Sequence, residues 1–200
     1  MSRERRVHPR GVLAVAAACL LACTAAVVVL GFVPADVAVR EALLSVTTPG
    51  VRAVMRVVNH LGDWRGLLPG TLLLFVVFPR ARARWWLWAG LMVTAPAMEW
   101  ALKHIVGRQR PENISLSFPS GHSTAAAAFF GALMYLAGSL PPRLGAVVRV
   151  LAGVMILLVG LARVMLRAHW PSDVLGGFAL GLALASAAAL LDARAPRAPS

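Results

Sequence analysis

Charge is scarce in this chain. Asp, Glu, Lys and Arg together make up 14% of the 200 residues, against roughly 25% in a soluble domain. Acidic residues are scarcer still, with 8 Asp+Glu against 20 Lys+Arg and a formal net charge of +12. That deficit excludes an ordinary soluble enzyme. The apolar share of 59% excludes a disordered chain, which needs low hydrophobicity. Cysteine is nearly absent. Cys19 and Cys23 both lie in the first apolar run, where they make neither a disulfide framework nor a spaced metal site. There is no internal repeat, and the only compositional bias is an Ala-rich last span and a short Ala/Pro/Arg tail. Mean hydropathy is +0.74, the value of an integral membrane protein.

The basic residues fall in short clusters between long apolar runs, as in membrane loops rather than a nucleic-acid groove. No nucleic-acid partner is expected. A bilayer core needs roughly 20 helical residues. Six runs are read as spans, over 11–33, 67–78, 85–103, 120–140, 144–162 and 172–191. The second is short and contains Pro69, so it crosses only by starting near Leu61 or by tilting. The expected fold is therefore all-α, a six-transmembrane-helix bundle in one membrane-embedded domain over residues 1–200. A basic cytoplasmic N-terminus (1–10) and a short cytoplasmic tail (192–200) flank it.

Leu20-Leu21-Ala22-Cys23 after a basic start looks like a lipoprotein cleavage site. The apolar run continues well past Cys23, so a retained first span is expected. Lys/Arg asymmetry with the N-terminus inside puts eleven of the 20 basic residues on the inner side. Trp64, Trp100 and Trp170 then sit at the outer interface and Trp85, Trp86 and Trp88 at the inner one. Between the first two spans, Val51, Val54, Met55, Val58 and Leu61 recur at helical spacing, with Arg52 and Arg56 on another face. Thr48-Pro49 supplies a helix start. This segment is read as an interfacial helix.

The informative polar residues collect at one membrane surface. In an antiparallel bundle the end of span three (Lys103, then Arg108, Arg110 and Pro111), the start of four (Pro119-Ser120-Gly121-His122), the end of five (Arg163) and the start of six (His169 and Asp173) share one face. Ionisable groups at such depth are costly and mark function. Lys and Arg fit phosphate oxygens. Ser120 can cap a helix whose free N–H groups point outward, and Gly121 allows close backbone approach. His169 and Asp173 are four apart, neighbours on a helix face. Asp173 can hold one ring nitrogen and leave the other as nucleophile. His122 can act as general acid. Glu99, four before Lys103, offers an alternative i,i+4 ion pair. Arg108 and Arg167 are read as headgroup or solvent contacts, and Gly177 and Gly181 as a close helix-packing pair.

Lys103-(six residues)-Arg110-Pro111, then Pro119-Ser120-Gly121-His122, then Arg163-(five residues)-His169-(three residues)-Asp173 resemble the three motifs of the type 2 phosphatidic acid phosphatase superfamily in order and spacing. The resemblance implies a phosphohistidine on His169, support from Asp173 and leaving-group protonation by His122. It implies phosphate binding by Lys103, Arg110, Ser120, Gly121 and Arg163, and neither metal nor cofactor. Where the family often has Ser before the third-motif Arg, this chain has Ala162. The implied activity is hydrolysis of a lipid phosphate or diphosphate, such as undecaprenyl diphosphate, phosphatidylglycerol phosphate or phosphatidic acid. The expected site is the outer face of a bacterial inner membrane. A lipid phosphotransferase and a non-catalytic lipid-phosphate binding or transport bundle are the alternatives. A vanadate-dependent haloperoxidase shares the motifs, but its known members are soluble. No protein partner is implied.

Overall fold

The computed structural model describes residues 8–31 and 33–194. The basic N-terminal residues Arg3, Arg5 and Arg6 and the tail residue Arg197 lie outside them. Among the described residues there is no β-strand, only an isolated bridge between Gln109 and Leu116. In the described residues nine α-helices follow one another: α1 (Pro9–Leu30), α2 (Pro34–Ser45), α3 (Pro49–Asn59), α4 (Trp64–Val77), α5 (Pro79–Ala83), α6 (Trp85–Val106), α7 (Gly121–Leu136), α8 (Pro142–Met165) and α9 (Pro171–Arg194).

Proline sets many of the starts. It occupies the first helical position of α1, α2, α3, α5, α8 and α9, where its missing N–H is no loss. The segment after Thr48 is the expected helix. Thr48 caps α3 by accepting from Val51 N. The sequence reading missed α2, which follows Pro34 and carries Asp36 and Arg40.

α1, α8 and α9 are long and apolar enough to cross a membrane. α6 has 22 residues but carries Glu99 and Lys103 near its end. α7 has 16 residues and α4 has 14, short of the roughly 20 a crossing needs. Three crossings thus rest on length and hydropathy, within an integral membrane protein. Large side chains such as Val29, Val76 and Leu157 point outward, the surface expected towards lipid.

α7 and α9 pack along most of their lengths, with α8 and α6 against α7 and α1 along α9. Without a hydrophobic drive inside lipid, such contacts depend on close van der Waals approach and small residues. The expected glycine pair provides it. A Cβ on Gly177 would stand 2.7 Å from Ser120 O, and one on Gly181 2.3 Å from Thr124 O. Both obstacles are backbone, one at the N-cap of α7 and one in its first turn. Gly181→Leu is expected to force the helices apart and destabilise the fold by about 2–3 kcal/mol, read as earlier unfolding in detergent. Unchanged stability would mean that α7 and α9 do not meet this closely. At the opposite end from the site described next, the buried Asp192 pairs with Arg80 at 2.6 Å and accepts from Tyr135 Oη at 2.9 Å.

Candidate active site

The α8–α9 connection is a tight turn. Ala168 N and His169 N both donate to Arg163 O, at 3.0 and 3.2 Å. Pro171 then starts α9. Asp173 reaches back to accept from Trp170 N at 2.8 Å, as in a capping box. This local geometry holds His169 over the start of α9. His169 is 1% exposed and Asp173 is fully buried.

His169 Nδ1 lies 3.5 Å from Asp173 Oδ2 and 3.4 Å from Ser117 Oγ. Ser117 itself donates to Asp173 Oδ2 through a short hydrogen bond. With the serine proton committed to the carboxylate, its oxygen is left to accept from Nδ1–H. That places the lone pair on Nε2, the nucleophilic tautomer. Burial pushes the His169 imidazole below its ordinary value, to about 4, against the upward pull of Asp173. The ring is neutral at physiological pH.

The segment 120–124 is tied to the same centre. Ser120 N donates to Asp173 O at 2.9 Å. Ser120 stands at the N-cap of α7 as expected, but its hydroxyl does not cap the helix; it accepts from Ser123 Oγ at 3.0 Å. The backbone donors of the first turn are therefore not used by Ser120 Oγ. A Cβ on Gly121 would lie 3.1 Å from Glu99 Oε1, so only glycine leaves ordinary space there. Glu99 and Lys103 form the i,i+4 pair offered as an alternative. The pairing does not remove Lys103 from the site, because the same carboxylate abuts Gly121.

The α6–α7 connection brings Arg110 in. Gly107 ends α6 in the left-handed region at φ 69°, which glycine tolerates. A small hairpin follows, closed by Ser117 N donating to Arg108 O at 2.7 Å and Arg110 N to Ser115 O at 3.0 Å. Arg163 is buried and donates from Nη1 to Asn59 Oδ1 at 2.5 Å. Its Nε is buried without a hydrogen-bond partner. The charges of Arg110 and Arg163 act on both His122 and His169. Of the eight residues singled out, Ser120 is bonded to Asp173, Asp173 faces His169, the charges of Arg110 and Arg163 reach both histidines, and Gly121 abuts Glu99. Lys103 joins them through Glu99.

The reading of Arg108 is corrected. It is no headgroup contact but a buried residue, donating to Asp173 Oδ1 at 2.8 Å, Asp36 Oδ2 at 2.6 Å and Ser172 Oγ at 2.7 Å. The unpaired-headgroup picture failed because its two carboxylate partners are remote in sequence. Arg167 stays exposed and pairs with Glu112 at 3.0 Å. Four more residues went unread: Asp36, Asn59, Asp63 and Ser117. Asp63 caps α4, accepting from Arg65 N at 2.8 Å, and its charge acts on His122. The only sequence signal among them was Ser117, two before Pro119.

Buried guanidinium groups, helix-start amides and an oriented neutral imidazole at one end of a membrane bundle together define a membrane-embedded phosphatase. The family model of the PAP2 superfamily matches residues 112–196. Phosphatidylglycerophosphatase B of Bacillus subtilis (strain 168) is 35% identical over 164 residues, 75% of this chain and 79% of that protein. Decaprenylphosphoryl-5-phosphoribose phosphatase of Mycobacterium tuberculosis is 35% identical over 173 residues, covering 81% and 89%. The solved transmembrane PAP2-type phosphatidylglycerolphosphate phosphatase of B. subtilis superposes with a TM-score of 0.79 at 30% identity, over 96% of this chain and 99% of that one. The chain belongs to the PAP2 superfamily.

Proposed function

We propose that this protein hydrolyses a lipid phosphate or diphosphate at the outer face of a bacterial inner membrane, with six helices crossing and a phosphohistidine on His169. The observation that carries the reading is the Ser117–His169–Asp173 geometry, which aims an imidazole lone pair away from Asp173 within reach of the Arg110 and Arg163 charges.

Nε2 of His169 attacks phosphorus while the bond from phosphorus to the lipid oxygen breaks. His122 gives its proton to that oxygen. Water then attacks the phosphohistidine, His122 takes the water proton, and inorganic phosphate leaves. Arg110, Arg163, Lys103, Gly121 and Ser120 surround the phosphoryl oxygens, where most of the catalysis lies in positioning and charge stabilisation.

A groove of about 470 Å³ between α4, α7 and α8 supports a lipid substrate. Leu61, Leu67, Phe129 and Leu133 line it. Leu61 borders the groove, and a Cβ on the next residue, Gly62, would stand 3.0 Å from His122 Cβ. An acyl or prenyl tail fits this surface.

The test is phosphate release in detergent from phosphatidic acid, phosphatidylglycerol phosphate, a decaprenyl phosphosugar and undecaprenyl diphosphate. Release from at least one is expected. The acid limb of kcat/KM should fall well below the roughly 6.5 of a free histidine, because His169 must be neutral to attack and becomes protonated only near 4. A new phospholipid in place of free phosphate would indicate transfer. Binding without turnover of any panel member would indicate the transport bundle.

A further inference from the structure

Asp36 belongs to α2, a segment with no motif residue, yet it is 2% exposed and directed at the start of α9. Its Oδ1 accepts from Ser172 N at 2.8 Å and its Oδ2 from Ser172 Oγ at 2.6 Å. An external carboxylate thus caps α9, where negative charge is favoured. The same Oδ2 takes Arg108 Nη2 at 2.6 Å, while Arg108 Nη1 serves Asp173 Oδ1 at 2.8 Å. One guanidinium is shared between two buried carboxylates.

This sharing has an electrostatic result. A lone Arg108–Asp173 pair would be neutral and would offer His169 little negative field. With Asp36 included, the three groups carry one net negative charge, joined to the imidazole through Asp173. The other groups facing His169 are Arg163 from α8, Arg110 from the hairpin and His122 from α7, together with the Ser117 hydroxyl. All of these but the hydroxyl are cationic or can become so. The surplus carboxylate is what offsets them.

We propose that Asp36 and Arg108 are positioning residues of the phosphatase, with α2 acting as a strap that fixes Asp173 and tunes the basicity of His169. The inference rests on His169 being the nucleophile. Strengthening the Arg108–Asp173 pair by removing Asp36 withdraws charge from His169 and weakens its attack. Removing Arg108 does the opposite to the charge while loosening the carboxylate.

The test uses the full chain in detergent with p-nitrophenyl phosphate, whose own ionisation is common to every variant. Asp36→Asn makes the network neutral. It should lower kcat about tenfold with KM within about twofold, and move the acid limb of kcat/KM down by about one pH unit. Arg108→Gln leaves two negative charges and should move the limb up by about one unit. The double variant restores one negative charge, so its limb should return close to the parent's although its rate stays low. A merely structural role would lower rates and leave all three limbs in place, and that result overturns the proposal. Should Arg108→Gln not accumulate, the isosteric Asp36→Asn decides alone by the direction of its shift. His169→Ala, run alongside, separates the two readings. If it remains active, the nucleophile assignment fails. If it is inactive and the limbs do not move, only the strap proposal fails.

Discussion

His169→Ala is expected to lower phosphate release by about four orders of magnitude or more, with the protein still folding. The residue lies in a turn held by backbone bonds to Arg163 O, so the imidazole is dispensable for the local fold. Its loss removes the atom that would bond to phosphorus. The cationic cradle of Arg110 and Arg163 would remain, so binding of inorganic phosphate should persist. Elution as the same monodisperse species, phosphate binding intact and turnover gone is the expected pattern. Retained turnover would remove His169 from the chemistry. A complementary result is a phosphorylated parent enzyme after rapid quenching without acid, with no label on the alanine variant.

Substitution of His122 by glutamine should act selectively. General acid catalysis contributes about 10²–10⁴-fold where a poor leaving group must be protonated. A lipid alkoxide is such a group. p-Nitrophenolate leaves without help. Release from the most active panel lipid should therefore fall by about 10²-fold or more, whereas p-nitrophenyl phosphate should change by less than about tenfold. Equal losses on both substrates would assign His122 to binding rather than proton transfer. Its neighbourhood suits proton transfer. It sits in the first turn of α7, against the turn at Gly62, and the charge of Asp63 opposes those of Arg110 and Arg163.

The sequence was readable where a feature repeats at short range. A helix starts where proline follows a capping residue, as at Thr48-Pro49, and α9 starts at Pro171. The pairs Glu99–Lys103 and His169–Asp173 are four apart, so helical geometry brought each together. The Gly177/Gly181 spacing likewise announced a close helix contact, though not that α7 would be the partner. α2 escaped notice because it is a short helix after the first span, without a strong apolar stripe. The hydroxyl of Ser120 was misread because a capping residue type at a helix start does not ensure a capping bond once Ser123 competes for it.

Hydropathy determined the membrane class and the helical fold, because each depends on neighbours within a few residues, and motif spacing singled out the candidate groups. Tertiary structure alone decided which partners those groups find. Asp36 lies 136 positions from Ser172, Asn59 104 from Arg163, and Arg108 65 from Asp173. No spacing rule spans such separations. Buried charges must be neutralised wherever packing leaves them, and that packing is a property of the whole bundle.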